Sequence, residues 1–279
     1  ILHYVSIVTT SHASRTLPPL PTASTLFPYT TLFRSCPGNV DPAPDNTDQT
    51  ACLTSGQIDT LALQFSDLEP GIQLPHGRTT FGMWAPSTAV ASNSPFGGLF
   101  SATRYQGQEG ADADAPVFSA LGSIGVNGFI MQDLSADPLD FSLAEHGERY
   151  QQLAAWLDST QADLSAFAAQ GGKLIVIVGT DDTIAPSGEQ LNYYQSVLDS
   201  MGREQLNAFA RLWVLPQTGH GLTGRSATID GHGNTIAPKP IPVNLDRLGL
   251  LTRWVEAGVA PALHATVSGE TTSLRICIF

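Results

Sequence analysis

The chain has 279 residues, 42% of them hydrophobic and 14% charged, enough to bury a sizeable core and too apolar for a disordered polypeptide. A formal net charge of −12, from 13 basic and 25 acidic residues, argues against nucleic acid or anionic membrane as partners, because both need clustered Lys and Arg. No apolar run approaches the roughly 20 residues that span a bilayer, so a soluble protein is expected.

Residues 1–35 do not read as the start of a domain. Ile1-Leu2-His3-Tyr4-Val5 lacks an initiating Met, and no basic stretch precedes an apolar one, so no signal peptide is legible. Ser24 to Ser35 resembles the translated read-through of a sequencing adaptor; a disordered Ser/Thr/Pro-rich leader is the alternative, and both readings keep the segment out of the fold. From Cys36 to Asp48 the text is loop, and Thr54 or Ser55 is placed to cap a helix with Ile58, Leu61 and Phe65 on one stripe. Cys36 and Cys52 lie among turn residues, a setting that in an exported protein points to a disulfide, with two buried thiols as the alternative. Residues 66–135 show little periodicity and read as an irregular insertion. Long structureless loops in compact domains are usually lids or binding surfaces, although a β-rich piece without a clear pattern fits the text equally well.

Regular structure is expected from Tyr150 to Leu157 and from Asp163 to Gln170, the second helix being stopped by Gly171-Gly172. Leu174-Ile175-Val176-Ile177-Val178 then reads as a buried parallel strand that leaves through Gly179. Helix Glu189 to Asp199, strand Arg211 to Pro216 and helix Asp246 to Ala257 follow. The fold class is therefore α/β, with chemistry expected at the carboxyl ends of the strands. The expected division is a non-native or disordered leader over 1–35, a lid-like insertion with a cysteine-bearing loop over 36–135, and the α/β part over 136–279.

Two strand ends carry candidate chemistry. Asp181 and Asp182 follow the first strand, and His220 follows the second, so carboxylate and imidazole can meet at one edge of the sheet. A carboxylate accepting from Nδ1–H fixes the histidine's tautomer and stabilises the imidazolium formed when Nε2 takes a proton. Each residue also has a plainer reading: an Asp after a strand often forms a turn, and a lone His is often only a surface residue. The adjacent acids would also suit a metal-dependent transferase, but no second acidic cluster supports one. The remaining histidines, His3, His12, His76, His146, His232 and His264, show no HxH or HExxH spacing, and the 3 cysteines form no CxxC. Tyr193, Tyr194 and Trp254 read as packing residues. No Gly-x-Ser-x-Gly elbow occurs; Gly122-Ser123-Ile124-Gly125 has the wrong spacing.

Taken in order, Cys52-Leu53-Thr54-Ser55-Gly56-Gln57, Asp163-Leu164-Ser165-Ala166-Phe167, Gly171-Gly172-Lys173-Leu174-Ile175, Gly179-Thr180-Asp181-Asp182 with Pro186 and Tyr193-Tyr194, Arg211-Leu212 before Pro216 and His220, Trp254-Val255-Glu256-Ala257-Gly258-Val259-Ala260-Pro261, and Leu274-Arg275-Ile276-Cys277 resemble the tannase and feruloyl esterase family of α/β-hydrolases. The resemblance runs from about Cys36 to the C-terminus and implies the C-terminal part of an α/β-hydrolase fold with a lid. It implies hydrolysis of phenolic acid esters, feruloyl or galloyl, by a Ser-His-Asp triad, with His220 as general base and acid and Asp182 as its orienter. The nucleophilic serine is expected upstream of the break near Ser35, which makes the chain a fragment expected to be inactive alone. A non-catalytic ligand-binding module on a hydrolase scaffold is the competing reading. Family members commonly have a cysteine after the histidine, bridged to one beside the serine; here Gly221 stands there. The family's lid calcium loop is not found, and no cofactor is expected for catalysis. The expected partner is a small-molecule or plant-polymer ester, with no nucleic acid and no membrane, in a secreted or periplasmic setting; the oligomeric state is left open.

Overall fold

The computed structural model describes residues 35–40, 52–85, 122–182, 184–222, 226–229, 235–269 and 273–277. Most of the adaptor-like text and residues 86–121 of the expected insertion lie outside them. Cys36 and Cys52 form a disulfide, and Cys36 N–H donates to Leu53 O at 2.9 Å. Helix α1, Ser55–Gln64, starts just beyond. Ser55 lies inside the helix rather than capping it; its N–H donates to Asn39 Oδ1 at 2.6 Å, so the acceptor comes from the far side of the disulfide.

Helix α2, Leu143–Leu157, begins at Leu143 rather than at the expected Tyr150. Ser142 Oγ accepts from Glu145 N–H at 3.3 Å, the Ser-x-x-Glu start that the sequence reading passed over. The helix buries Tyr150, Leu153 and Ala154 against Leu74, Val126 and Ile130. Val126 and Ile130 belong to a π-helical run, Ile124–Met131, inside the stretch expected to be irregular. The short helix α3, Ser165–Ala169, opens where Asp163 Oδ1 accepts from Ser165 N–H at 2.9 Å. Gly171, at φ 81°, turns the chain into strand β1, Leu174–Gly179.

Helices α4, Ser187–Met201, and α5, Arg203–Phe209, return the chain to strand β2, Ala210–Leu215. Gly202, at φ 78°, breaks what would otherwise be one helix. The two strands pair in parallel from Leu174↔Ala210 to Gly179↔Leu215, which requires a long crossover between them. Their side chains alternate between two cores. Leu174, Val176, Val178 and Leu212 pack with Tyr194, Val197, Leu206 and Phe209 of the crossover helices. Ile175, Ile177, Trp213 and Leu215 pack on the other face against Ala265, Val267 and Ile276.

Those last three residues come from an antiparallel pair, β5, His264–Ser268, and β6, Ser273–Cys277. A further pair, β3, Ser226–Ile229, with β4, Thr235–Pro240, follows the His220 loop. Helix α6, Arg247–Ala257, lies between the two pairs, with Asp246 Oδ1 accepting from Gly249 N–H at 3.0 Å. Trp254, on α6, is buried as expected, with the Arg211 guanidinium 4.7 Å from its ring centre. Arg211 Nε also donates to Pro261 O at 3.0 Å, so one side chain of β2 holds both α6 and the loop beyond it.

The disulfide closes a loop across 16 positions, and a loop near that size contributes about 3 kcal/mol in the chain-entropy account. Thiol titration of the unfolded, unreduced chain should find one reactive cysteine out of 3. Urea unfolding of Cys36→Ser with Cys52→Ser should show the corresponding loss of stability.

Candidate active site

The loops after β1 and β2 are laced together by backbone. Thr180 N–H donates to Leu215 O at 3.0 Å, continuing the parallel ladder by one bond, and Asp181 N–H donates to Thr218 O at 3.0 Å. In return Gln217 N–H donates to Thr180 Oγ1 at 2.9 Å. Gly179 permits the approach: a Cβ there would stand 2.3 Å from Thr218 O. Thr218 is fully buried, and its hydroxyl donates to Pro216 O at 3.1 Å. Gln217, Gly221 and Leu222 take left-handed backbone at φ 49°, 71° and 60°, curling the second loop back over the first.

This lacing brings Asp182 and His220 into contact across 38 positions of sequence. With the proton on Nδ1, His220 donates to Asp182 Oδ2 at 3.1 Å, with Oδ1 at 3.3 Å. Asp182 Oδ1 also accepts from Ile184 N–H at 2.8 Å and Ala185 N–H at 2.9 Å. The carboxylate is thus oriented by its own loop before it meets the imidazole. The Asp182 side chain is 11% exposed and the His220 side chain 55%, so the acid is shielded while the ring can be reached from outside. Asp181, the competing acid, is buried with its N–H on Thr218 O. Ser123 is also buried and sits in relaxed right-handed helical backbone at φ −61°, ψ −44°, unlike a strained nucleophile turn.

A family model described as tannase and feruloyl esterase matches residues 34–276. The chain belongs to the tannase and feruloyl esterase family. It is 29% identical over 234 residues to an uncharacterized esterase of Xanthomonas campestris, covering 76% of this chain and 38% of that protein. An uncharacterized esterase of Agrobacterium fabrum is 25% identical over 246 residues, covering 86% of this chain and 39% of that protein. The chain therefore spans well under half the length of these two relatives. A solved esterase from Aspergillus oryzae superimposes with a TM-score of 0.58 at 21% identity, over 100% of this chain and 56% of that one. Feruloyl esterase B from the same organism gives 0.57 at 19% identity, over 87% and 45%. The fold of this family member is accordingly that of an α/β-hydrolase.

Among the described residues, no group of three or more His, Cys, Asp or Glu is placed to hold a metal ion, and no helix is long and apolar enough to cross a membrane. His146 stacks on Phe141 at 5.9 Å, a packing role. His76 lies in a left-handed turn and His264 at the exposed start of β5; His3, His12 and His232 fall outside the described residues. The sequence reading missed the lacing residues Thr180 and Thr218 as well as a buried ion pair, Arg78 with Glu189, close to the acid loop. The first two stood beside named residues in the text. The ion pair joins positions too distant for any local pattern to reveal.

Gly179→Ala should cost about 1–3 kcal/mol, as overpacking does, and should part the two loops. Urea unfolding measures the first effect, and a shift of the His220 ring proton from Nδ1 towards Nε2, read by ¹⁵N NMR, measures the second. Glu189 gives a second expectation. Burial raises its carboxyl above the usual range, with Asp158 adding to the rise, despite the opposing pull of Gly82 N–H and Arg78. A raised acid contributes stability that is full below its unfolded value and lost as pH climbs through its folded one. The stability of wild type relative to Glu189→Gln should therefore fall as pH rises from below the ordinary glutamate value to above Glu189's own. Paired urea titrations at acid and neutral pH read the difference.

Proposed function

We propose that this chain supplies the acid and the histidine of a Ser-His-Asp carboxylic ester hydrolase acting on phenolic acid esters of feruloyl or galloyl type. The contact between His220 Nδ1 and Asp182 Oδ2 at 3.1 Å carries the reading, and family membership supports it. In this reading the nucleophilic serine comes from sequence upstream of this chain. His220 Nε2 takes the serine proton as the serine oxygen bonds to the ester carbonyl carbon. The protonated ring then gives that proton to the departing alcohol oxygen, leaving an acyl-serine. Water attacks next, with Nε2 accepting its proton, and the carboxylic acid leaves as the serine is restored. Asp182 stays ionised throughout and stabilises the imidazolium.

The proposed chemistry uses no cofactor. The Cys36–Cys52 disulfide supports an oxidising compartment, secreted or periplasmic. Met83 O accepts from Gly188 N–H and Gly82 N–H donates to Glu189, so the described part of the expected 66–135 insertion reaches the start of α4, next to the acid loop, which supports a covering role for that insertion.

The chain alone should not hydrolyse methyl ferulate or methyl gallate. A chimera in which the part of the Xanthomonas campestris esterase upstream of the matched region precedes residue 36 should do so. In that chimera His220→Ala should remove most turnover, a complete triad being worth on the order of 10⁶-fold. Asp182→Asn should lower turnover about 10⁴-fold through the wrong tautomer, and Asp181→Asn far less. Full activity in the His220→Ala chimera would falsify the assignment.

A further inference from the structure

A reciprocal exchange ties residues 78–83 to the first turn of α4, directly downstream of the acid loop. Pro186 offers that helix no side-chain cap, so its first N–H groups need acceptors from elsewhere. Gly188 N–H donates to Met83 O at 2.9 Å. In the other direction Gly82 N–H donates to Glu189 Oε2 at 2.6 Å, across 107 positions of sequence. The arrangement resembles a capping box, with the N3 glutamate and a helix N–H engaged by a remote segment instead of by the N-cap residue. Such an approach demands glycine on both sides. A Cβ on Gly82 would stand 2.3 Å from Glu189 N, and one on Gly188 2.6 Å from Met83 O. Arg78 completes the clamp by pairing with Glu189 Oε1 while the same nitrogen donates to Thr80 O at 3.2 Å.

Only Pro186 and Ser187, both buried, separate this clamp from Ala185, whose N–H is bound by Asp182. The clamp is therefore the downstream anchor of the loop that carries the acid. Burial pushes the Glu189 carboxyl up, which means that the ion pair does not fully offset the cost of placing a charge there.

We propose that Glu189, together with Arg78 and the Gly82–Gly188 contact, is a positioning device that holds Asp182 in register with His220. The proposal rests on the reading of Asp182 and His220 as a working pair and adds a condition to it. Residues 78–83 must be docked on α4 for the pair to align.

Histidine tautomers test this in the chain as it exists. With ¹⁵N-labelled histidine, at a pH where the ring is neutral, the shifts of the two ring nitrogens show which one carries the proton; His220→Gln assigns the signals. An isolated side chain favours the proton on Nε2, and a carboxylate accepting at Nδ1 reverses that preference. Wild type should hold the proton on Nδ1, and Asp182→Asn should set the limit for a lost contact. Glu189→Ala should move most of the population to Nε2 at a temperature where the chain is still folded. Glu189→Gln, still able to accept from Gly82, should restore part of the wild-type signal. Wild-type tautomers in both Glu189 variants, alongside a changed Asp182→Asn, would overturn the clamp and leave the pair standing. No change in Asp182→Asn would overturn the pair and the clamp together. Should Glu189→Ala fail to fold, Glu189→Gln and Arg78→Ala decide the matter: each should fall between wild type and Asp182→Asn, and wild-type tautomers in both reject the proposal.

Discussion

The carbonyl of Thr218 is the point on which the candidate site depends. It accepts from Asp181 N–H and lies where a Cβ on residue 179 would have to be. Parallel pairing of β1 and β2 delivers two loops to the same edge, but pairing alone leaves their relative height unset. The bonds from Thr180 to Leu215 and from Gln217 to Thr180 remove that freedom. Asp182 and His220 then meet with the relative height of their loops already set, so the hydrogen bond between them costs less further ordering of the chain.

The two side chains sit in different surroundings, and the difference follows from what each loop offers. Asp182 is nearly buried, and a shielded carboxylate needs donors; Ile184 and Ala185 provide them within three residues. His220 stands more than half exposed at the outer end of the second loop. The pair thus presents an oriented ring on a fixed acid. Farther down, the alternating faces of β1 and β2 bury apolar side chains on both sides, Val178 on one and Trp213 on the other. Each fully buried aliphatic residue there contributes roughly 1.5–3 kcal/mol, which keeps the strand ends from shifting under the loops.

The central part of this architecture was legible because its signals are local. Five apolar residues between Gly-Gly and Gly179 specify a strand, and the Asp182 and His220 loops follow strands directly. What was missed lacked a local pattern. Helix α5 is only seven residues long, and β5 alternates exposed and buried residues over just five, with only Ala265 and Val267 turned inward, so neither carries enough apolar text to stand out. The early start of α2 was present in Ser142-Leu143-Ala144-Glu145 but carried too little apolar text to stand out. The link from Gly82 to Glu189 is set by tertiary contact alone. Two ordinary glycines in two separate stretches carry no mark of their shared purpose.

The crossover from β1 to β2 has a consequence for how the pair comes into being. Acid, both intervening helices, the second strand and the histidine are consecutive along the chain. Their meeting is a single ring closure, whose entropy grows only with the logarithm of the length between them. Lengthening the turn at Gly202 would enlarge that ring at slight cost. An extra residue between Leu215 and His220 would instead move the imidazole off the acid altogether. Tolerance to insertion is therefore opposite in the two places, broad at the far end of the helices and nil at the strand ends, so length variation in the crossover is compatible with an unchanged site.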